Sequence, residues 1–360
     1  MMENAKIRVL VVDDSAFMRK VIQQILLESP AIEIVGSARD GMEALRIAKE
    51  QSPDVITLDV EMPVMDGITC LERLLVQGRY GVIMVSSLTT EGAAATIRAL
   101  ELGAVDFFPK PANLFSISQD VRKKELVEKV LVAGQARNRM LQPLPAPRHV
   151  AAKAMPASFR PEQFKTLVAL GISTGGPRAL QSVVPNLPAS LPAPVLIVQH
   201  MPPGFTRSLA MRLNDISEIN VREAEEGDEL KAGWVYIAPG DHHIDLLREG
   251  GKLKIHLDKL SPPVNGFRPS VDYLMDSIRK AGIRDCIGVI MTGMGADGSR
   301  GLRDLKRDNG MHIIAQDEKS CSVFGMPRAA IELGIVDEVG TLENISASIA
   351  KKAGVKTACT

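Results

Sequence analysis

Leu167-Val-Ala-Leu-Gly-Ile-Ser-Thr-Gly-Gly-Pro177 decides how the larger half of the chain is read. An apolar run stops abruptly at a serine set among glycines, and Arg178 to Val184 then reads as a helix. Gly171-Ile-Ser173-Thr-Gly175 fits the pattern in which small neighbours permit a sharp strand-to-helix turn that leaves the serine oxygen exposed. Taken alone, the plainer reading is favoured: a glycine turn whose serine merely caps the helix.

Two further stretches shift the balance. Pro194-Val-Leu-Ile-Val-Gln-His200 runs into Met-Pro-Pro-Gly204, and Cys286-Ile-Gly-Val-Ile-Met-Thr292 runs into Gly293-Met-Gly-Ala-Asp297-Gly298. Continuous apolar runs alternating with helical patterns read as buried parallel strands, and sites in open α/β sheets form at the carboxyl ends of such strands. Ser173, His200 and Asp297 each lie just past such an end. A nucleophile, a base and an orienting carboxylate thus meet at one edge, which favours hydrolysis over capping. The order Ser, His, Asp departs from the Ser, acid, His order of α/β-hydrolases, so the likeness to their serine turn is local. Asp241, Asp245 and Asp272 compete with Asp297 as the orienting group but fall in inserted or helical segments. His242 and His243 read as surface or hydrogen-bonded loop residues, His256 as solvent-facing, and His312 as lying on the wrong sheet edge.

Four signatures carry a family resemblance. They are Gly171 to Pro177, Val198-Gln-His-Met-Pro-Pro-Gly-Phe-Thr206, Met291-Thr-Gly-Met-Gly-Ala-Asp-Gly298 and Ala315-Gln-Asp-Glu-Lys-Ser-Cys-Ser-Val-Phe-Gly-Met-Pro327. With them, residues 167 to 336 resemble the catalytic domain of the CheB family of chemotaxis protein-glutamate methylesterases. The resemblance implies a serine hydrolase that demethylates glutamate methyl esters on chemoreceptor helices, releasing methanol, and that deamidates receptor glutamines. It points to the Met294 amide as an oxyanion donor, and it implies no cofactor in this domain. Arg207, Arg212, Arg268, Arg300 and Arg303 are candidates for guiding acidic receptor helices.

The first half is built on the same principle. Ile7 to Val12, Glu33 to Ala38, Asp54 to Asp59, Gly81 to Val85 and Ala104 to Phe108 are five strand-like runs alternating with helical patterns, a doubly wound unit. Asp13, Asp14 and Asp59 converge at its strand ends, and three carboxylates held together call for a hard cation such as Mg2+. A magnesium ion beside one carboxylate suits phosphoryl transfer, with the Ser86 hydroxyl and Lys110 ammonium facing the same phosphate oxygens. Residues 7 to 112 resemble response-regulator receiver domains. By that resemblance Asp59 accepts the phosphoryl group from a histidine kinase, and Asp13, Asp14, Asp59 and the backbone carbonyl of Glu61 hold the metal. Ser86, Phe107 and Lys110 form the switch, and the Lys110–Pro111 peptide is expected to be cis. In this family the unphosphorylated receiver covers the catalytic face.

The expected architecture is therefore two doubly wound parallel-sheet α/β domains, a flavodoxin-like receiver and a Rossmann-like methylesterase domain. Four short runs between Val221 and Leu257 are read as antiparallel hairpins inserted into the latter. The boundaries are set at 1–124 for the receiver and 125–163 for a helical, then Pro/Ala-rich linker. Residues 164–355 form the catalytic domain and 356–360 a disordered tail. Composition agrees: 43 basic and 43 acidic residues leave no nucleic-acid footprint. The four cysteines are scattered without metal or disulfide spacing, and neither a membrane-length apolar segment nor a signal peptide is present, so the protein is expected to be cytoplasmic. A receiver-controlled esterase with another substrate, a non-enzymatic binding module and a DNA-binding output are the competing readings.

Overall fold

In the computed structural model, residues 6–110, 120–136 and 160–355 are described, and the chain divides into two units, Met1–Pro145 and Ala146–Thr360. The first unit runs β1 (Ile7–Val12), α1 (Ala16–Leu27), β2 (Ile32–Ala38), α2 (Gly41–Gln51), β3 (Val55–Asp59), α3 (Gly67–Gln77), β4 (Gly81–Ser86), α4 (Thr90–Leu102), β5 (Asp106–Pro109) and α5 (Asp120–Ala136). Its five strands are all parallel, in the order β2-β1-β3-β4-β5. Every residue of β3 and β4 is buried, as runs without alternation require when helices cover both sheet faces. Ile22, Ile25 and Leu26 form the core stripe of α1, whereas Phe17, on the same helical pattern, is 52% exposed.

Helix α5 corrects the expected boundary at residue 124. Its Leu126, Val130 and Ala133 are buried in one cluster with Val9, Val11, Ile83 and Phe108. Charges along this helix disguise an i, i+4, i+7 apolar stripe that completes the receiver core. The linker proper and the C-terminal tail, with His149 and Cys359, lie outside the described residues, as does Pro111 and hence the Lys110–Pro111 peptide.

The second unit runs β6 (Leu167–Ile172), α6 (Gly176–Val183), β7 (Val195–Gln199), α7 (Phe205–Ile216), β8 (Asn220–Glu223), β9 (Trp234–Ile237), β10 (His243–Glu249), β11 (Lys252–Asp258), α8 (Val271–Lys280), β12 (Cys286–Ile290), α9 (Ser299–Asn309), β13 (His312–Gln316), α10 (Met326–Glu332), β14 (Glu338–Gly340) and α11 (Ile345–Lys352). Seven strands form a parallel sheet in the order β14-β13-β12-β6-β7-β9-β8. The chain builds outward from β6 through β7, crosses over, and builds the other half from β12. The boundary between β6 and β12 is therefore the switch point of the sheet.

Only β10 and β11 form the expected antiparallel hairpin, turning at Gly250 and Gly251 with φ of 57° and 79°. The runs at Val221 and Trp234, read as a second hairpin, instead extend the main sheet in parallel. Their ten-residue connection contains buried Leu230 and Ala232, which pack it on the sheet as a crossover helix would. Of the two readings of His243, the hydrogen-bonded one holds, but at the start of β10 and not in a loop: it is completely buried, stacked on Tyr273 at 4.1 Å, with Nε2 3.2 Å from the Pro262 carbonyl. Among the described residues no helix is long and apolar enough to cross a membrane.

Candidate active site

Strands β6, β7 and β12 are adjacent, and backbone bonds lock their carboxyl ends together. Ser173 N–H donates to Thr292 O at 3.0 Å, and His200 N–H to Ile172 O at 3.2 Å. The turn after Ser173 requires glycine twice. Gly175 has φ of 75° and faces Ser322, while a Cβ at Gly176 would run into the Gln199 carboxamide oxygen. Across the site, a Cβ on Gly293 would sit 2.8 Å from the Ser173 Cβ. The loop after β12 therefore lies directly against the serine.

The three sequence-predicted residues come together as a chain of contacts. Ser173 Oγ is 3.1 Å from His200 Nδ1, and His200 Nε2 is 2.8 Å from Asp297 Oδ2. The His200 side chain is 7% exposed and that of Asp297 is fully buried. Oδ2 of Asp297 also accepts the Val271 N–H at 2.7 Å, and Oδ1 accepts the Ser270 hydroxyl at 2.8 Å and the Asp272 N–H at 3.1 Å. Four donors fill the lone-pair sites of this carboxylate. Burial pushes the Asp297 carboxyl up, but the His200 imidazole and the amides of Val271 and Asp272 outweigh it and hold the carboxyl below its usual range. An ionised Asp297 keeps the imidazole proton on Nε2, which leaves Nδ1 as the acceptor facing the serine hydroxyl.

Several supporting residues carried no signal in the sequence. Gln199 donates from Nε2 to the carbonyls of both Ser173 and His200, at 3.0 and 3.2 Å, joining nucleophile and base through one amide. Ser270 was visible only as the first residue of a helix, and it does accept the Tyr273 N–H as an N-cap while its hydroxyl proton goes to Asp297. Phe267 stacks flat on His200, with ring centroids 3.9 Å apart and planes 7° from parallel. Thr174, next after the nucleophile, is detectable from the turn pattern itself. Neither its N–H nor that of Met294 donates to an acceptor among the described residues.

The rival carboxylates are engaged elsewhere. Asp241 binds the Arg268 guanidinium, and Asp245 accepts the Tyr273 hydroxyl at 3.1 Å. Asp272 accepts the amides of Gly298 and Gly301 at 3.0 and 2.8 Å, tethering the loop that carries Asp297. Of the candidate guiding arginines, Arg268 is spent on Asp241 and on the Lys259 and Ser261 carbonyls, and Arg300 lies 3.5 Å from Asp272.

In the first unit Asp13, Asp14 and Asp59 each offer a carboxylate oxygen, all within 4.8 Å of one another. Lys110 Nζ stands 2.7 Å from Asp59 Oδ2 and 3.0 Å from Asp13 Oδ2. The Asp13 contact is an ion pair without hydrogen-bond geometry, so Asp13 Oδ2 remains a buried acceptor with no hydrogen bond. Burial pushes the Asp59 carboxyl up to about 6, and the Asp13 charge adds to it, against the pull of Lys110 and the Glu61 amide. Two buried carboxylates, Asp13 and Asp59, beside the exposed Asp14 make an oxygen-only set that fits a divalent hard cation with room for water. Ser86 is fully buried and its hydroxyl donates to Gly92 O at 3.0 Å. Phe107 is 3% exposed, and the Lys129 ammonium of α5 binds its carbonyl at 2.7 Å and lies 5.1 Å from its ring.

Comparison with known proteins bears on both units. Residues 168–349 match the family model of the CheB methylesterase, and residues 9–122 that of the response regulator receiver domain. A protein-glutamate methylesterase/protein-glutamine glutaminase of Halalkalibacterium halodurans is 49% identical over 353 residues, 97% of this chain and 99% of the relative. A protein of the same description from Bacillus subtilis is 46% identical over 349 residues, covering 95% and 97%. The crystal structure of the Thermotoga maritima CheB methylesterase catalytic domain is 48% identical, with a TM-score of 0.50, over 52% of this chain and 98% of that one.

Proposed function

The chain belongs to the CheB methylesterase family, and from that premise we propose that Ser173, His200 and Asp297 carry the family's hydrolysis in this protein. It is a protein-glutamate methylesterase/protein-glutamine glutaminase with a receiver domain that places the hydrolase under phosphorylation control in chemotaxis. Its substrate is a chemoreceptor and its phosphate source a histidine kinase.

The observation that carries the residue assignment is the relay from Ser173 Oγ through His200 Nδ1 and Nε2 to Asp297. His200 Nδ1 takes the serine proton as Oγ attacks the glutamyl ester carbonyl, and Asp297 stabilises the imidazolium that results. The tetrahedral oxyanion is met by the Met294 N–H, with the Thr174 N–H as a second donor beside it. Collapse of this intermediate expels methoxide, which takes the proton from His200 and leaves as methanol. Water, deprotonated by His200, then releases the glutamate carboxylate from Ser173. With a glutamine substrate the leaving group is ammonia.

In the receiver, Asp59 accepts the phosphoryl group. Asp13, Asp14, Asp59 and the Glu61 carbonyl would hold Mg2+, which neutralises charge on phosphate oxygens when bound. Lys110 supplies a fixed positive charge to the same oxygens, and the Ser86 hydroxyl leaves Gly92 O to reach them.

Incubation with methylated receptor membranes, scoring released methanol, tests the assignment. Ser173→Ala and His200→Ala should each remove nearly all release while leaving the fold intact. Release that survives Ser173→Ala would assign the nucleophile elsewhere.

A further inference from the structure

The face of the His200 ring is covered, and what covers it is held in place by an unusually well-tied loop. Val264 and Phe267 exchange both backbone hydrogen bonds, at 3.0 and 2.9 Å, around Asn265 and Gly266 with φ of 53° and 86°. That is a two-residue turn of the kind that closes a hairpin tightly. The next residue, Arg268, anchors it, donating to Asp241 Oδ1 at 3.0 Å and to the Lys259 and Ser261 carbonyls at 2.9 and 3.1 Å. Asp241 N–H in turn donates to the Arg268 carbonyl at 3.1 Å. Within five residues the same segment delivers the three donors, Ser270, Val271 and Asp272, that hold Asp297.

We propose that Phe267 is a positioning residue for the general base, its ring fixing the plane in which His200 Nδ1 meets Ser173 and Nε2 meets Asp297. The proposal rests on the triad reading above. Hydrogen bonds at the two ring nitrogens define an axis but leave the imidazole free to tilt about it. A ring lying parallel at 3.9 Å removes that freedom. It also keeps water off one imidazole face, and it presents a π-cloud to the imidazolium formed when His200 takes the serine proton. The segment from Phe267 to Asp272 therefore sets both the plane of the base and the direction of its carboxylate partner. Phe267 does not touch the reacting atoms, so its contribution appears in the rate of the chemical step and not in substrate binding.

The test compares aliphatic with aromatic replacements in the full-length enzyme, using methanol release from methylated receptor membranes with Mg2+ and acetyl phosphate present. Phe267→Leu and Phe267→Met keep most of the volume but lose the flat π-face. Both should lower kcat about tenfold with KM changed by less than about twofold and Tm near wild type. Phe267→Tyr, which retains the face, should stay within about twofold of wild type. A Phe267→Leu enzyme as fast as wild type overturns the proposal, as does a KM effect without a kcat effect or an equal loss in the Leu, Met and Tyr variants. If Phe267→Leu does not accumulate as folded protein, the Met against Tyr comparison decides in the same way. His200→Ala is measured alongside. An active His200→Ala enzyme would refute the triad, whereas an inactive one beside a wild-type-like Phe267→Leu enzyme would refute only the role of Phe267.

Discussion

Asp297 accepts four hydrogen bonds inside a fully buried pocket, and removing its charge should be felt more strongly in catalysis than in folding. Asp297→Asn replaces an acceptor by an amide among those donors and permits the tautomer with the proton on Nδ1. We expect kcat to fall on the order of 10³–10⁴-fold with the fold retained, measured by methanol release and circular dichroism. A near-normal kcat would give the orienting role to another carboxylate. A second residue bears on stability. Burial holds the His243 imidazole below its ordinary value of 6.5, against the Pro262 carbonyl and the Asp258 charge. A histidine depressed in the fold binds fewer protons there than in the unfolded chain. Its penalty is thus absent above pH 6.5 and grows as pH falls below 6.5 toward the folded value. His243→Phe should flatten the drop in Tm of the catalytic unit between about pH 7.5 and 5.5. An unchanged slope would place the acid sensitivity in other groups. The convergence of Ser173, His200 and Asp297 was legible because each lies just past the carboxyl end of a strand-like run, Asp297 after a short glycine-rich loop. Phe267 and Ser270 were not, since their partners lie 67 and 27 residues away in sequence and only the closed fold brings them together.

Helix α5 illustrates what periodicity reports and what composition hides. Its alternating charges suggest a solvated linker, yet every third or fourth position from Leu126 to Ala133 is buried against β1, β4 and β5. Full burial of a leucine or valine side chain is worth about 1.5–3 kcal/mol each, a large share of a receiver's net stability. Leu126→Ala should therefore destabilise the receiver by about 2–5 kcal/mol, read from urea unfolding. A fragment ending at residue 124 should fail to fold cooperatively, whereas one ending near residue 140 should fold cooperatively. Equal stability of the two fragments would return α5 to the linker. The parallel pairing of β8 and β9 was hidden for the opposite reason: short runs broken by glycine look alike whether the chain turns back or crosses over. The connection that crosses over between them buries Leu230 and Ala232, a tertiary fact.

For the whole molecule the question is how phosphate on one unit changes hydrolysis on the other. Two parallel-sheet units with their sites at carboxyl edges, in family order, were readable from strand-end residues, because both sheets follow the same rule. Their mutual arrangement was not, since the connecting chain carries little hydrophobic pattern. Phosphorylation control by the receiver can act by restraining the hydrolase in the resting state. A fragment beginning near Pro161 should then outpace resting full-length enzyme and ignore phosphodonors. Phosphate on Asp59 can shift the balance only by its differential free energy between the restrained and released states, and each tenfold change needs about 1.4 kcal/mol. One or two charge-assisted hydrogen bonds, of the kind Lys110 and Ser86 would make, are of that size. The most direct single measurement is methanol release from methylated receptors by the full-length protein, with and without acetyl phosphate in Mg2+ buffer. Phosphorylation of Asp59 should raise release roughly tenfold to a hundredfold, a rise lost in Asp59→Asn, with no release in Ser173→Ala under either condition. An equal phosphodonor response in Asp59→Asn, or substantial release by Ser173→Ala, would contradict this expectation.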